Sequence, residues 1–131
     1  MTDYSRQAIR QSGYLRAGFA DHYDAFRPSP PPILLEALSR YAESPQPARV
    51  VDLGSGTGLS TRAWADRAGE VIGVEPNPEM RKVAERRTEQ PNVRYLEAFA
   101  SDTGLEAASA DVVTCSQSFH WMERGPVLAE A

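Results

Sequence analysis

The stretch RVVDLGSGTGLST, residues 49–61, restricts the possible folds of this chain more than any other. Three glycines lie within five positions, directly after a short apolar run and directly before a helical pattern. Without a Cβ, Gly54 and Gly56 can adopt positive φ and let a ligand touch the main chain, while Gly58 permits close packing where the helix begins. Amides at a helix start favour electron-rich ligand groups. The stretch therefore predicts a turn from a buried strand into a helix, with a ligand at that turn.

The pattern on both sides of this turn predicts alternating helices and strands. A first helix is expected over about 31–43, because prolines precede an apolar stripe and the connector SPQPA follows it. Further elements are predicted as strands at 50–53, 71–74, 93–97 and 111–116, and as helices at 57–67 and from Asn77-Pro78 onward. Strands separated by helices pair in parallel through right-handed crossovers. The predicted fold class is α/β, with a Rossmann-like doubly wound parallel sheet.

The amino-terminal residues differ in pattern from the rest of the chain. Residues 1–28 mix polar and aromatic side chains at loosely helical spacing, so we expect them to form an irregular arm or a short helix. Residues 29–131 are expected to form the α/β domain.

Charge and cysteine content limit the partners and the location that we expect. Fourteen Lys and Arg against 18 Asp and Glu give a net charge of −4 without a basic run, so nucleic acid is not expected. Cys115 is the only cysteine, which excludes an intramolecular disulfide and a thiolate metal site and favours a reducing compartment. The first residues lack the apolar core of a signal peptide, and no run has the length of a membrane span. We expect a cytoplasmic protein without a metal and without a membrane partner.

An acidic residue ends the second predicted strand. Glu75 lies 21 residues after Gly54, where a carboxylate is expected to accept hydrogen bonds from both hydroxyls of an adenosine ribose. Taken alone, Glu75 is more typical of a solvated acid at a strand end. Together, the turn and the acid favour an adenosine ligand.

Three adenosine ligands compete for this arrangement. A nucleoside triphosphate requires the Gly-Lys-Ser/Thr of a phosphate loop, but Gly58 is followed by Leu59-Ser60. A nicotinamide dinucleotide favours the spacing G-x-G-x-x-G, whereas this turn reads G-S-G-T-G with leucine at the sixth position, which counts against that ligand without excluding it. The third candidate is S-adenosylmethionine.

Three segments carry a resemblance to a known family: VVDLGSGTG, GVEPNPEM and ADVVTCSQSFHWM. Together with YDAFRPSPPPILLEAL they are similar to the class I S-adenosylmethionine-dependent methyltransferases, above all the small-molecule branch that includes ubiquinone/menaquinone-biosynthesis and trans-aconitate methyltransferases. The resemblance spans about residues 18–131. It implies S-adenosylmethionine as cofactor and methyl transfer to an unidentified small-molecule acceptor.

The resemblance also implies roles for individual residues. The methionine portion of the cofactor would lie against Asp52, Gly54, Ser55, Gly56 and Gly58. The ribose and adenine would lie against Glu75, Asn77, Met80, Phe99 and Ala100, although core packing explains Met80 equally well. A segment beneath the cofactor would contain Ser116, Gln117, His120 and Trp121, and a lid would contain Tyr14, Phe19, Tyr23 and Arg27. His120 is a candidate base, but we favour a role in the pocket wall.

Members of the family continue past the helix that begins near Gly125 into about three more strands, whereas this chain ends at Ala131. The resemblance therefore implies an incomplete sheet of about four strands out of seven, truncated after the fourth. That strand would be an exposed edge, and we expect a second copy to cover it in a homo-oligomer. Three hypotheses stay open: a methyltransferase, a truncated cofactor-binding remnant without independent activity, and a nicotinamide-dinucleotide-binding module.

Overall fold

The computed structural model describes residues 18–131, and its centre is a sheet of four parallel strands. The strands are β1 (Arg49–Leu53), β2 (Glu70–Val74), β3 (Val93–Leu96) and β4 (Val112–Thr114). They lie in the order β3-β2-β1-β4. The chain thus extends the sheet from β1 in one direction and then returns to add β4 on the other side of β1. The predicted α/β fold is confirmed.

Helices connect and flank the strands. The α-helices are α1 (Phe19–Phe26), α2 (Pro32–Tyr41), α3 (Leu59–Ala63), α4 (Pro78–Arg87) and α5 (Arg124–Glu130), and a 3-10 helix (Phe119–Trp121) precedes α5. Of the arm expected over residues 1–28, the structure describes α1 and the residues that follow it. Within residues 18–131, no helix has the length and apolar character needed to cross a membrane.

Two elements are only about half as long as the sequence predicts. The expected helix over 57–67 is reduced to α3, because Gly58 has a φ of +84° and the helix begins only after it. The side chain of Trp64 then turns inward and is fully buried. Its amide donates a hydrogen bond to the carbonyl of Thr61 rather than continuing the α-helical pattern. The strand expected over 111–116 pairs with β1 only up to Thr114, since its partner strand leaves the sheet at the glycine turn.

The core lies on both faces of the sheet because successive strand residues point in opposite directions. On one face, Val50 and Val71 pack against Leu35 of α2 and against Trp64. On the other, the apolar side chains come from β1, β2 and α5: Val51, Leu53, Ile72, Val74 and Val127. Burial on both faces is typical of a doubly wound parallel sheet.

Candidate functional site

A cavity opens at the carboxyl edge of the sheet, next to the turn that follows β1 and the loop that follows β4. Parallel sheets bind ligands where the strand order reverses, because the loops after neighbouring strands diverge there. The cavity lining includes most of the residues that the sequence predicted for cofactor binding: Arg27, Gly54, Ser55, Gly56, Glu75, Met80, Phe99, Ala100 and Ser116. The fold therefore brings these residues together from across the chain.

The amides of the glycine turn are bonded within the protein. Those of Gly54 and Ser55 both donate to the carbonyl of Val74, at 2.8 and 3.0 Å, and the amide of Gly58 donates to the carbonyl of Ser55 at 3.0 Å. The carbonyls of Gly54 and Gly56, in contrast, accept no hydrogen bond from any residue in 18–131. The carbonyl oxygens of these two glycines are therefore available to a ligand.

Gly54 and Gly56 require glycine for different reasons. A Cβ on Gly54 would lie 2.6 Å from Cε of Met122 and 2.8 Å from Cβ of Ser118. The loop after β4 therefore packs directly against Gly54 and leaves no space for a side chain there. Oγ of Ser118 also donates to the carbonyl of Leu53 at 3.0 Å. At Gly56, which has a φ of +58°, the nearest atom to an added Cβ is Cε of Met80 at 3.6 Å. Gly56 is therefore the position where a ligand can approach the main chain.

Glu75 joins the glycine turn to the end of β2. Its Oε2 accepts from the amide of Gly56 and its Oε1 from the amide of Asn77, both at 2.9 Å. Burial raises the pKa of the Glu75 carboxyl, while the Asn77 and Gly56 amides and the charge of Arg81 act in the opposite direction. A carboxylate offers about four acceptor positions, so two remain after these two bonds. The carboxylate is held in one orientation at the cavity wall and can accept two further hydrogen bonds.

Asp52 lies behind the turn and does not line the cavity. It is fully buried, and three hydroxyls donate to it: Ser60 at 2.6 Å and Thr61 at 2.8 Å to Oδ2, and Thr114 at 2.9 Å to Oδ1. Burial raises the pKa of the Asp52 carboxyl more than these hydroxyls lower it. The sequence predicted direct contact with the methionine portion; in the structure Asp52 instead links α3 to β4 beneath the turn.

The lining also contains Gln117 and Trp121, but it does not contain Phe19, Gly58, Asn77 or His120. A Cβ on Gly58 would overlap the Tyr95 hydroxyl and lie 2.9 Å from Nη1 of Arg62, so Gly58 faces the protein interior. Asn77 caps α4, with Oδ1 accepting from the amide of Glu79 at 2.9 Å. His120 is exposed, and its ring centroid lies 4.9 Å from that of Trp121.

Two predicted lid residues cannot be compared with the cavity in this way. Tyr14 lies outside the described residues. Tyr23 belongs to α1, but its side chain is outside the part of the chain that the structure describes. Their roles stay predictions.

A family model described as methyltransferase domain matches residues 51–131, which is the larger part of the chain and includes the glycine turn, Glu75 and the loop after β4. The chain belongs to this methyltransferase family. The predicted methyltransferase family is confirmed.

Relatives of this methyltransferase domain come from distant organisms. Probable S-adenosylmethionine-dependent methyltransferase CRG1 of Saccharomyces cerevisiae is 29% identical over 117 residues, which cover 85% of this chain and 40% of the relative. Ubiquinone biosynthesis O-methyltransferase of Xanthomonas axonopodis pv. citri is 34% identical over 103 residues, which cover 72% and 43%. The solved structure of a proposed type II methyltransferase from Anaeromyxobacter dehalogenans superposes with a TM-score of 0.71 at 32% identity, over 80% of this chain and 43% of that one. The chain spans about two fifths of the length of these relatives.

Several residues that line the cavity of this methyltransferase domain were not predicted from the sequence. They lie mainly in the loop after β4 and in the helix that follows: Ser118, Met122, Glu123 and Val127. The available signal was their position directly after the fourth strand, since loops at that edge of a parallel sheet surround the ligand site. Thr57, inside the glycine turn, also lines the cavity.

The polar groups of the cavity fit S-adenosylmethionine. The carbonyls of Gly54 and Gly56 are acceptors without a partner among the described residues, which suits an ammonium group, and Glu75 has acceptor positions for ribose hydroxyls. The hydroxyls of Ser55 and Thr57 are buried and make no hydrogen bond within residues 18–131. Buried polar groups without partners are rare in folded proteins, so these two hydroxyls indicate that a ligand or water completes the turn.

Proposed function

We propose that this chain binds S-adenosylmethionine in the cavity and that the protein transfers the cofactor's methyl group to a small-molecule acceptor. The observation that carries the proposal is the pair of hydrogen bonds by which Glu75 holds Gly56 and Asn77. They bring the carboxylate that would bind the ribose next to the main-chain acceptors that would bind the amino-acid portion. The chain spans about two fifths of its relatives, so we propose cofactor binding for the chain and methyl transfer for the whole protein.

The proposed contacts follow from the chemistry of each group in the lining. The carbonyls of Gly54 and Gly56 accept from the ammonium of the cofactor, and Glu75 accepts from the two ribose hydroxyls. Phe99 and Ala100 flank the adenine, while Ser116 lies beneath the cofactor and Arg27 closes the opposite side. Asp52, Gly58 and Asn77 act behind this layer by fixing the turn and the start of α4.

The bound cofactor would supply a methyl group attached to a positively charged sulfur. That sulfur is a good leaving group when the methyl group is transferred. The chain's residues then have to hold that methyl group toward the acceptor and exclude water, which gives most of the rate advantage expected for such a displacement. No protein base is required unless the acceptor must lose a proton. We propose that His120 supports Trp121 at the cavity wall, because its ring packs on that indole outside the lining.

Calorimetry tests the cofactor assignment directly. The chain is titrated with S-adenosylmethionine, S-adenosylhomocysteine and NAD, and we expect the first two to bind and NAD to bind weakly or not at all. Tight NAD binding without S-adenosyl binding would instead identify a nicotinamide-dinucleotide-binding module. Incubation of the chain with methyl-labelled cofactor and a mixed small-molecule extract then asks about turnover. Binding without label transfer would favour a cofactor-binding remnant over an independent enzyme.

We also propose the surroundings of this site from the same evidence. Residues 1–28 act as a lid, which is supported by Arg27 in the cavity lining. A second copy pairs with β4, which is supported by its position at the edge of the described sheet. A reducing, cytoplasmic location is supported by the free thiol of Cys115. The net charge of −4 argues against a nucleic-acid acceptor.

A further inference from the structure

Arg62 of α3 bridges the amino-terminal helix and the glycine turn. Its Nη1 donates to the carbonyl of Thr57 at 2.7 Å, and its Nη2 donates to Oδ1 of Asp24 at 3.1 Å. Thr57 lies in the cavity lining, whereas Asp24 belongs to α1. One guanidinium therefore bonds at the same time to the helix before the domain and to the turn that holds the proposed cofactor.

The bridge is largely sheltered from solvent. The side chain of Asp24 is 5% exposed and that of Arg62 is 15% exposed. Nε of Arg87 on α4 lies 3.5 Å from the other Asp24 oxygen. Removal of one partner from a buried ion pair leaves an uncompensated charge, so such pairs are held in one geometry more firmly than pairs at the surface.

Gly58 makes room for the bridge. An added Cβ would lie 2.9 Å from Nη1 of Arg62, so the absence of a side chain lets the guanidinium reach the Thr57 carbonyl next to it. The third glycine of the turn therefore serves the contact with Arg62 rather than the cavity. Arginine is required for this contact, because its planar fork presents two donor groups in fixed directions and lysine does not.

Docking of α1 also affects the cavity from its other side. Phe19 and Ala20 of α1 pack against Met80 and Val83 of α4, and Met80 lines the cavity. Arg27 follows α1 directly and lines the cavity as well. Displacement of α1 would therefore change the turn through Arg62 and the opposite wall through Arg27.

We propose that Asp24 and Arg62 are positioning residues that couple the docking of α1 to cofactor binding; this rests on the proposed function of the cavity. When α1 is docked, Asp24 orients Arg62, which holds the Thr57–Gly58 peptide of the turn. Coupling between two sites is reciprocal, so a cofactor that selects this shape of the turn also stabilises the docked α1. The bridge thus makes α1 a lid that closes in response to the ligand.

A second ion pair provides a matched control. Asp21 of α1 pairs with Arg86 of α4, and both side chains are more than half exposed. This pair links α1 to the domain but includes no residue of the glycine turn. Asp21→Asn removes an ion pair that only attaches α1, so its effect shows how much ligand binding depends on that attachment alone. If the proposal is right, only Asp24 affects the ligand.

The test uses the whole chain and the variants Asp24→Asn, Arg62→Lys and Asp21→Asn, each checked for a cooperative thermal transition. S-adenosylhomocysteine is titrated into each by calorimetry, and hydrogen exchange of residues 19–26 is followed with and without it. We expect Asp24→Asn and Arg62→Lys to weaken binding by about 5-fold or more and to abolish the ligand-induced slowing of exchange in α1. Asp21→Asn should bind within about 2-fold of the parent and keep that slowing.

The parent chain separates the failure of this proposal from that of the proposed function. A parent that does not bind S-adenosylhomocysteine overturns the proposed function, and the coupling with it. The coupling alone is overturned if the parent binds S-adenosylhomocysteine and Asp24→Asn binds it equally well. It is also overturned if the parent binds but hydrogen exchange in α1 does not change with the ligand. If Asp24→Asn does not fold, ligand binding by Arg62→Lys tests the coupling. If neither variant folds, the effect of the ligand on hydrogen exchange of α1 in the parent tests it.

Discussion

Glu75 accepts a hydrogen bond of 2.9 Å from the amide of Gly56, which joins the end of β2 to the turn after β1. The carboxylate and the turn therefore form one unit, and neither can move without the other. This contact explains why the acid is buried at a strand end, where a solvated position is usual for a carboxylate. The proposed contacts to the ribose and to the amino-acid portion of the ligand therefore both depend on the Glu75 side chain.

Replacement of Glu75 by glutamine tests this unit. The amide nitrogen of glutamine cannot accept, so either the Gly56 or the Asn77 amide would lose its partner, and one of the proposed ribose contacts would be lost as well. We expect Glu75→Gln to lower stability by about 1–3 kcal/mol and to weaken S-adenosylhomocysteine binding by about 10-fold or more. Urea unfolding and calorimetry measure the two effects.

Glu97 provides the control for this prediction. It follows β3 as Glu75 follows β2, but its side chain is 73% exposed and pairs with Arg81 at 2.7 Å. Glu97→Gln should leave ligand affinity within about 2-fold of the parent, since exposed ion pairs contribute little. Equal effects of the two substitutions would contradict the assignment of Glu75 to the ligand.

Replacement of Asp52 by asparagine should change how stability depends on pH. Burial raises the pKa of the Asp52 carboxyl above 3.8 in the folded protein, so the folded state binds the proton more tightly than the unfolded state. Its contribution to stability is therefore fully present below about 3.8 and is lost as pH rises through the raised pKa. Asparagine does not titrate, so the stability of Asp52→Asn relative to the parent should increase with pH. Thermal unfolding of both proteins from acid to neutral pH measures this difference.

Glu70 should show the opposite sign. Hydrogen bonds from Arg94 and Arg49 lower the pKa of the Glu70 carboxyl, so its contribution to stability is present above its unfolded pKa and is lost as pH falls. The stability of Glu70→Gln relative to the parent should therefore decrease as pH rises. If both variants shift in the same direction, the burial of Asp52 is not the cause of its pH dependence.

The sequence predicted the elements that local pattern controls. Alternating short apolar runs indicated parallel strands, and Asn77-Pro78 correctly marked the start of α4, where Oδ1 of Asn77 accepts from the Glu79 amide. Local periodicity failed at α3, because residues 57–67 have helical spacing but Gly58 adopts a left-handed φ and Trp64 turns into the core. Glycine permits such a φ, but the sequence does not show which glycine adopts it, and the burial of Trp64 has no local signal.

The roles of Asp52 and Gly58 could not be predicted because their partners are distant in the sequence. Asp52 accepts from Thr114, which lies 62 positions away and becomes a neighbour only when β4 joins β1. Gly58 gives space to Tyr95 from β3, and sequence spacing alone cannot distinguish a glycine that faces a ligand from one that faces a side chain. The bridge from Asp24 to Arg62 spans 38 positions and was also not foreseen.

The edge of the sheet predicts association in solution. β4 contributes Val112–Thr114 to the edge of the described sheet, and an uncovered edge strand readily pairs with another strand. We expect light scattering after size-exclusion chromatography to give twice the chain mass of 14.4 kDa over a range of concentrations. A stable monomer throughout that range would contradict pairing through β4.

Replacement of Gly58 by alanine should be more destabilising than the same change at another glycine with positive φ. Gly58 has a φ of +84°, and an added Cβ would overlap the Tyr95 hydroxyl and crowd Arg62, whereas Gly104 has a φ of +71° and no atom within 4 Å of an added Cβ. Backbone strain alone costs about 1–2 kcal/mol, and displacement of packed side chains adds about 1–3 kcal/mol. We therefore expect urea unfolding to show a loss of about 2–5 kcal/mol for Gly58→Ala and about 1–2 kcal/mol for Gly104→Ala. Equal losses would mean that Tyr95 and Arg62 move aside freely, and the contact between Arg62 and the Thr57 carbonyl would then be too weak to hold the turn.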